Sequence, residues 1–531
     1  MQSPVIRGTL ALAVLAFSLT MAGCASMGNN APQSKQIDPG SLEAGEAIHA
    51  ADRDAGWPAA DWWRVYRDPQ LDAWIAAALA GNPTLAAAQA RVREAQAMVR
   101  IAHSTELPQI NGNLSLMRQQ WPTNQFYGPG IIADANDWNN TGTLNLSYHL
   151  DLWSKDKNAT ERALDVAHAT SADARAARLE IEVNVVRTYI SLSMNYALLD
   201  LAHDTLKRQE GLADLARKRL KGGIGTQLDV SQAEATLPDF ERQIDTYEEG
   251  VELARHQLAA LAGKGPGAGD SIGRPKLVLN GPGGLPSTMP AELIGRRPDV
   301  VAARWLVDAQ ARGIEVAKAD FYPNVNLLAT VGGFGVTQPF AGFLRAMNGG
   351  YSFGPAISLP IFVGGRLRAQ LGAAAAGYDQ AVEHYNQTIL RALKDISDLV
   401  VRTKSIETQK EDAARSVAIN QRTYQLSREG FRRGLTDYVN VLIAQQQLLR
   451  AQDTAARIDA ERLTIHASLI AALGGGVGTG DDMSKDQPSA GRSAGADASS
   501  GAKPEHAAPA AQVASPTKAA AAAPASVPAV K

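Results

Sequence analysis

Apolar and polar residues alternate in four short stretches of the chain, and apolar residues recur at steps of three and four in two very long ones. In the first alternating stretch Ile110, Leu114 and Leu116 share a side opposite Asn111, Asn113 and Ser115. In the second, Leu144, Leu146, Tyr148 and Leu150 oppose Asn145, Ser147 and His149. The later half repeats the pattern: Val325, Leu327, Ala329 and Val331 lie against Asn324, Asn326 and Thr330, and Tyr351, Phe353, Ile357 and Leu359 against Ser352, Gly354 and Ser358. Period two predicts strands with one greasy face and one polar face. A half-buried soluble sheet carries the same pattern, but these stretches approach the length that crosses a bilayer obliquely.

The long stretches predict rods. Residues 154–221 contain no proline and one glycine, Gly211; as a helix this span reaches about 100 Å. Leu179, Val183, Val186 and Ile190 form one stripe along it, and Ile181, Val185 and Leu192 a neighbouring one. Ile389, Leu393, Ile396 and Val400 repeat the same steps within residues 366–431. Two stripes let each helix pack against a neighbour on both sides, as a curved wall requires.

The two halves are copies of one plan. Pro83 and Pro298 stand 215 residues apart, as do Pro108 and Pro323. Further on, Gly223-Ile224 with Val230 and Ala233 matches Gly434-Leu435 with Val441 and Ala444 at an offset of 211. Ordered matches at a near-constant spacing mark an internal duplication. Each half reads as a moderate helix (residues 84–106 in the first), two strands, a very long helix, a glycine tip and a returning helix. Pro108 and Pro323 mark the change from helix to strand, because proline removes a donor and drives its predecessor out of the helical region.

Four strands cannot close a barrel. Unpaired backbone groups in hydrocarbon cost several kcal/mol each, and the smallest membrane barrels use about eight strands. A homotrimer supplies about twelve, enough to leave a pore. The expected fold is therefore mainly α-helical with a membrane β-barrel. Duplicated strand-strand-long helix-helix repeats form a trimeric twelve-stranded barrel, with four strands per protomer, and the rods supply a wall of helices in water.

The chain ends add an address. Arg7, an apolar run over residues 10–19 and small residues before Cys24 form an export signal; Cys24 is the only cysteine. Met21-Ala22-Gly23-Cys24 resembles a bacterial lipobox, so Cys24 is the expected lipidation site, carrying palmitate, and Ala25 resembles a signal for onward sorting to the outer membrane. From residue 474 the chain turns to Gly, Ala, Pro, Ser and Lys without periodicity, as a disordered tail does. The expected organisation is a signal peptide (1–23), a lipidated N-terminal segment (24–61), a first repeat (62–263), a linker (264–291), a second repeat (292–476) and a tail (477–531). Net charge changes little: 52 basic against 54 acidic residues give no footprint for nucleic acid.

The pieces Trp62-Trp63, Asp68-Pro69-Gln70-Leu71, Asn82-Pro83 and Tyr148-His149-Leu150-Asp151-Leu152-Trp153, with Arg296-Arg297-Pro298-Asp299-Val300, Phe321-Tyr322-Pro323, Leu359-Pro360-Ile361-Phe362-Val363-Gly364-Gly365-Arg366 and Ala472-Leu473-Gly474-Gly475-Gly476, resemble the TolC/OprM-like outer-membrane efflux factors, in particular their lipidated NodT-like group. The resemblance covers residues 62–476. It implies a lipid-anchored trimer whose outer-membrane barrel continues into an α-helical periplasmic tunnel, and which serves as the passive exit duct of a tripartite pump for drugs or other small toxic molecules. Its partners are a periplasmic adaptor (a membrane fusion protein), an inner-membrane transporter and outer-membrane lipid; the glycine- and proline-rich linker lies in an equatorial region around the tunnel. The adaptor-contact tips are Gly223, Ile224 and Gly225, and Gly434, Leu435 and Thr436. Relatives often narrow the mouth with aspartates at the positions of Asn440 and Ile443, which this sequence lacks. Asp229, which matches Asn440 in the first repeat, does carry one. The expected gate is therefore a ring of Val439 and Ile443, with Asn440 and Asp229 beside it and ion pairs from Asp437 and Arg432 or Arg433.

No enzyme pattern competes. None of the 9 histidines sits in a metal-binding spacing, and neither a cofactor nor a metal is expected; His149 reads as a pore-lining or hydrogen-bonding residue. Gly263-Lys264-Gly265-Pro266-Gly267 lacks phosphate-loop spacing, and Gly332-Gly333-Phe334-Gly335 opens no helix. The alternative is a periplasmic coiled-coil scaffold or adaptor lipoprotein, anchored to the outer membrane by its lipid alone.

Overall fold

The computed structural model describes residues 27–43, 57–121, 136–279, 293–336 and 349–476 of the 531. The signal sequence, Cys24 and the tail lie outside them. In chain order the helices are α1 (Pro69–Gly81), α2 (Pro83–Ser104), α3 (Lys155–Lys221), α4 (Gln227–Ala235), α5 (Leu237–Leu261), α6 (Leu293–Arg296), α7 (Pro298–Ala319), α8 (Arg366–Arg432) and α9 (Tyr438–Ala472). The strands are β1 (Gln109–Gln120) and β2 (Asn136–Leu150) between α2 and α3, and β3 (Asn324–Val336) and β4 (Gly349–Ser358) between α7 and α8. Among the described residues no helix is long and apolar enough to cross a membrane.

Local chemistry places the boundaries. Asp68 caps α1 by accepting from the Gln70 amide at 3.0 Å, and Asn82 caps α2 by accepting from the Thr84 amide at 2.8 Å, each with proline in the first turn. Such caps contribute about 1 kcal/mol each. Arg297 stands where the duplication would put the second cap, and it does different work. Its guanidinium pairs with Asp299 at 2.7 Å and donates to the Ala472 carbonyl at 3.2 Å, tying the start of α7 to the end of α9.

The rods α3 and α8 each run 67 residues. Both expected stripes of α3 are buried: Val186 and Ile190 on one, Val185 and Leu192 on the other. The main core gathers halfway along α3, where Trp62, Trp63, Tyr66, Leu71 and Ile75 pack on Tyr189, Leu192, Leu258 and Ile272. The first part of the expected linker belongs to this core. Residues 266–271 form a 3-10 turn, Ile272 is fully buried, and the Gly273 amide donates to Gln70 Oε1 at 2.9 Å. Residues 280–292 lie outside the described chain.

The four strands form one antiparallel sheet in the order β1-β2-β3-β4. Its register carries apolar rows across every strand: Ile110 faces Leu146, Leu146 faces Ala329 and Ala329 faces Phe353, while Leu144, Val331 and Tyr351 form a second row. Among the described residues the outer edges of β1 and β4 have no partner strand.

Candidate gate and membrane band

The two tips share a backbone and differ in side chains. In the first, the Ile224 amide donates back to the Arg219 carbonyl at 3.0 Å; in the second, the Leu435 amide donates to the Gly430 carbonyl at 2.8 Å. Gly223 and Gly434 hold the left-handed φ, 73° and 76°, that closes a helix in this way, at no steric cost because they lack a Cβ. Beyond the turn the copies diverge. Thr226 and Asp229 form a capping box, each side chain accepting from the other's amide at 3.1 and 2.9 Å. Asp437, at the matching start of α9, makes no side-chain cap bond, and Asn440 donates to the Thr436 hydroxyl at 2.9 Å.

The expected gate residues lie at and just beyond the two turns, and one expected pairing is corrected. Val439 and Ile443 lie one turn apart on α9 and are about half exposed, as a lining would be. Ile224 and Leu435 are the exposed apolar points of the tips, at 68% and 78%. Gly225 and Thr436 sit at equivalent places beside them. The arginines, however, do not pair with Asp437: Arg432 and Arg433 both close on Glu429, at 2.7 and 2.6 Å. Their spacing of three and four from Glu429 on α8 favours that pairing over one across the turn, and together they hold the Glu429 carboxyl down to about 2. Asp229 is held in its capping box.

Sequence reasoning missed the ties that hold the tip. Gln209 of α3 is fully buried; its amide donates at 2.7 Å both to the Ala233 carbonyl of α4 and to the Tyr438 hydroxyl of α9. Arg219 donates to the Phe431 carbonyl at 2.7 Å and lies 4.7 Å over the Phe431 ring. Around them pack Leu212, Ala216, Val230, Val441 and Leu448. The signal was a polar residue, Gln209, standing among small and apolar residues on a buried face of a coiled-coil helix.

At the other end of the rods, the apolar rows of the sheet point outward. Tyr351 and Phe353 are 80% and 81% exposed, and Ile110, Leu114 and Leu144 more than half. A face this apolar and this open in one chain requires a non-aqueous neighbour. Below it, Trp153 stacks on Tyr322 with ring centroids 4.7 Å apart and donates to the Pro323 carbonyl at 2.8 Å. Exposed Phe362 and Ile361 lie in the same turn region between β4 and α8. Aromatic rings at this level form the belt found at membrane–water boundaries.

The N-terminal segment runs down from the sheet end along α8. Met27 packs near Ile314, Ala317 and Leu371. The Gln33 and Ser34 amides donate to Asp379 Oδ1 at 2.8 and 2.9 Å, and Asn386 bridges the strap by accepting from the Ile37 amide at 2.9 Å and donating to the Lys35 carbonyl at 3.0 Å. Residues 27–37 of the expected lipidated N-terminal segment are thus fastened along α8 as a strap.

Comparison with known proteins agrees with this architecture. The outer membrane efflux protein family matches residues 74–264 and 289–475. The fusaric acid resistance protein FusA of Burkholderia cepacia is 63% identical over 508 residues, 93% of each chain. The multidrug resistance outer membrane protein MdtP of Escherichia coli K12 is 28% identical over 484 residues, covering 90% of this chain and 98% of that one. Among solved structures, the outer membrane protein VceC of Vibrio cholerae superposes with a TM-score of 0.73 at 32% identity, over 79% of this chain and 99% of that one.

Proposed function

We infer, since this chain belongs to the outer membrane efflux protein family, that it is the exit duct of a pump that removes fusaric acid or a close chemical relative. The chain is an outer-membrane efflux channel and a transport protein. The observation that carries the duct is the sheet: it exposes an apolar face and leaves two open edges. Two further copies seal those edges, giving about twelve strands around a water-filled lumen. The rods then continue the wall for about 100 Å away from the membrane.

The duct does no chemistry and consumes no energy. An adaptor engages Ile224 and Leu435 at the tips, an inner-membrane transporter supplies the work, and the gate at Val439 and Ile443 opens as a two-state element. The strap supports lipidation of Cys24, because Met27, three residues on, packs in the cluster of Ile314, Ala317 and Leu371 near the start of β3, at the sheet end of the rods. The cargo rests on the printed name of the 63% identical relative.

The test is growth. Expressed with its pump partners in a Gram-negative host lacking outer-membrane efflux factors, the chain should raise the fusaric acid concentration tolerated, and Cys24→Ser should lower the yield of membrane-bound trimer. Unchanged tolerance to fusaric acid alongside restored tolerance to unrelated drugs would move the cargo elsewhere and leave the duct intact.

A further inference from the structure

We propose that His149, Asp151 and Asp156 form a binding site for a divalent transition-metal ion, of zinc type, that staples the end of the barrel strand to the first turn of the tunnel helix. The proposal does not rest on the export reading. His149 lies near the end of β2, Asp151 just beyond it and Asp156 in the first turn of α3. Ser154, at a left-handed φ of 57°, turns the chain between them so that the helix start folds back under the strand.

Three donor atoms of mixed type converge there. His149 Nδ1 contacts Asp156 Oδ2, and the donor atoms of all three residues lie within 4.8 Å of one another. Zinc bonds of about 2.0–2.2 Å put tetrahedral ligands roughly 3.4 Å apart, so small side-chain rotations suffice. The independent sign of a ligand is Asp151. Its Oδ2 accepts from the Lys157 amide at 2.9 Å, but its Oδ1 is shielded from solvent and has no hydrogen-bond partner. A buried carboxylate oxygen without a donor costs free energy, and a cation supplies what is missing.

Neighbouring lysines are committed elsewhere. Lys155 Nζ pairs with Asp320 at 2.7 Å, and Lys157 Nζ points to Glu161 at 3.9 Å. The site borders a cavity of about 510 Å³, which gives an ion an entry path and room for a water as the fourth ligand. An imidazole beside two carboxylates selects zinc-like ions over magnesium or calcium, which prefer all-oxygen sets. The sequence reading prefers a pore-lining or hydrogen-bonding His149 to a ligand and expects no metal; the site departs from that expectation, because the hydrogen-bond partner is a carboxylate placed to share an ion.

The experiment uses full-length protein in detergent, stripped with EDTA, dialysed and titrated with zinc sulfate by calorimetry, with bound metal counted by elemental mass spectrometry. One zinc per chain is expected. His149→Gln and Asp156→Asn should each weaken binding by about tenfold or more, with the trimer intact on gels, whereas Asp320→Asn should bind as the parent does. In the unaltered protein, zinc but not magnesium should protect His149 from diethyl pyrocarbonate, read by peptide mass spectrometry, an arm that needs no variant. No bound zinc, equal zinc in the parent and both ligand variants, or unprotected His149 would each overturn the site.

Discussion

The two tips of the molecule are built on one turn and stabilised by different means. At 219 and 225 the first tip has Arg and Gly; at the matching 430 and 436 the second has Gly and Thr. The large side chain and the glycine have changed places across the same contact. A Cβ on Gly225 would meet Arg219 Cβ and the Leu220 amide nitrogen at 3.0 Å, and Gly430 leaves room for the Thr436 methyl in the mirror arrangement. Duplication thus preserved the backbone and left one of the two sides to fill each gap. The returning helices part company too: the first is divided at Thr236 ahead of Pro238, giving α4 and α5, while α9 runs unbroken for 35 residues. Both tips have the turn and a filled contact; the gate proposed above would add the exposed Val439 and Ile443, a pair that only the second copy carries.

The largest effect is expected from Gln209→Ala, which unties both copies at once. It takes the donor from the Tyr438 hydroxyl and leaves the Ala233 carbonyl with only the Thr236 hydroxyl at 3.4 Å, costing about 3 kcal/mol with the cavity it opens. Hydrogen exchange at tip amides should accelerate in both repeats, and single-channel recordings should show a higher open fraction; protection lost in α4 alone would break the idea of a shared tie. Next is Gly225→Thr, which copies the second tip's residue into the first. With Arg219 in place it overpacks by about 2 kcal/mol, and adding Arg219→Gly should restore much of the protection. Gly223→Ala and Gly434→Ala each force alanine into a left-handed φ, at about 1–2 kcal/mol, and the two losses should be equal by exchange. The smallest and most asymmetric pair is Thr226→Ala against Asp437→Ala. The first removes a formed capping box, about 1 kcal/mol; the second removes a side chain that makes no cap bond and should leave local exchange unchanged.

Much of this was legible in the chain because period and punctuation act locally. Alternation placed all four strands with the apolar residues on the face the register aligns, and Pro108 and Pro323 fell between helix and strand as expected, with α2 ending at Ser104 and β1 starting at Gln109. The rods were visible as proline-free spans with two stripes. Less local features escaped. Nothing near Asn386 announces that residues 35 and 37 will bond to it, because the partners are 351 and 349 positions away. Asp437 looked available to Arg432 and Arg433 because it is near them in sequence, yet Glu429 wins by lying on the same helical face. Gln209 could have been read from its place on a buried stripe, although its two partners could not.

The fastening of the strap also dictates an order of events. The Gln33 amide must wait for an acceptor 346 residues downstream, so a stretch made early finds its seat late. Contacts this distant in sequence form late. Until α8 exists and has taken its place, the backbone of residues 33–37 has none of these partners.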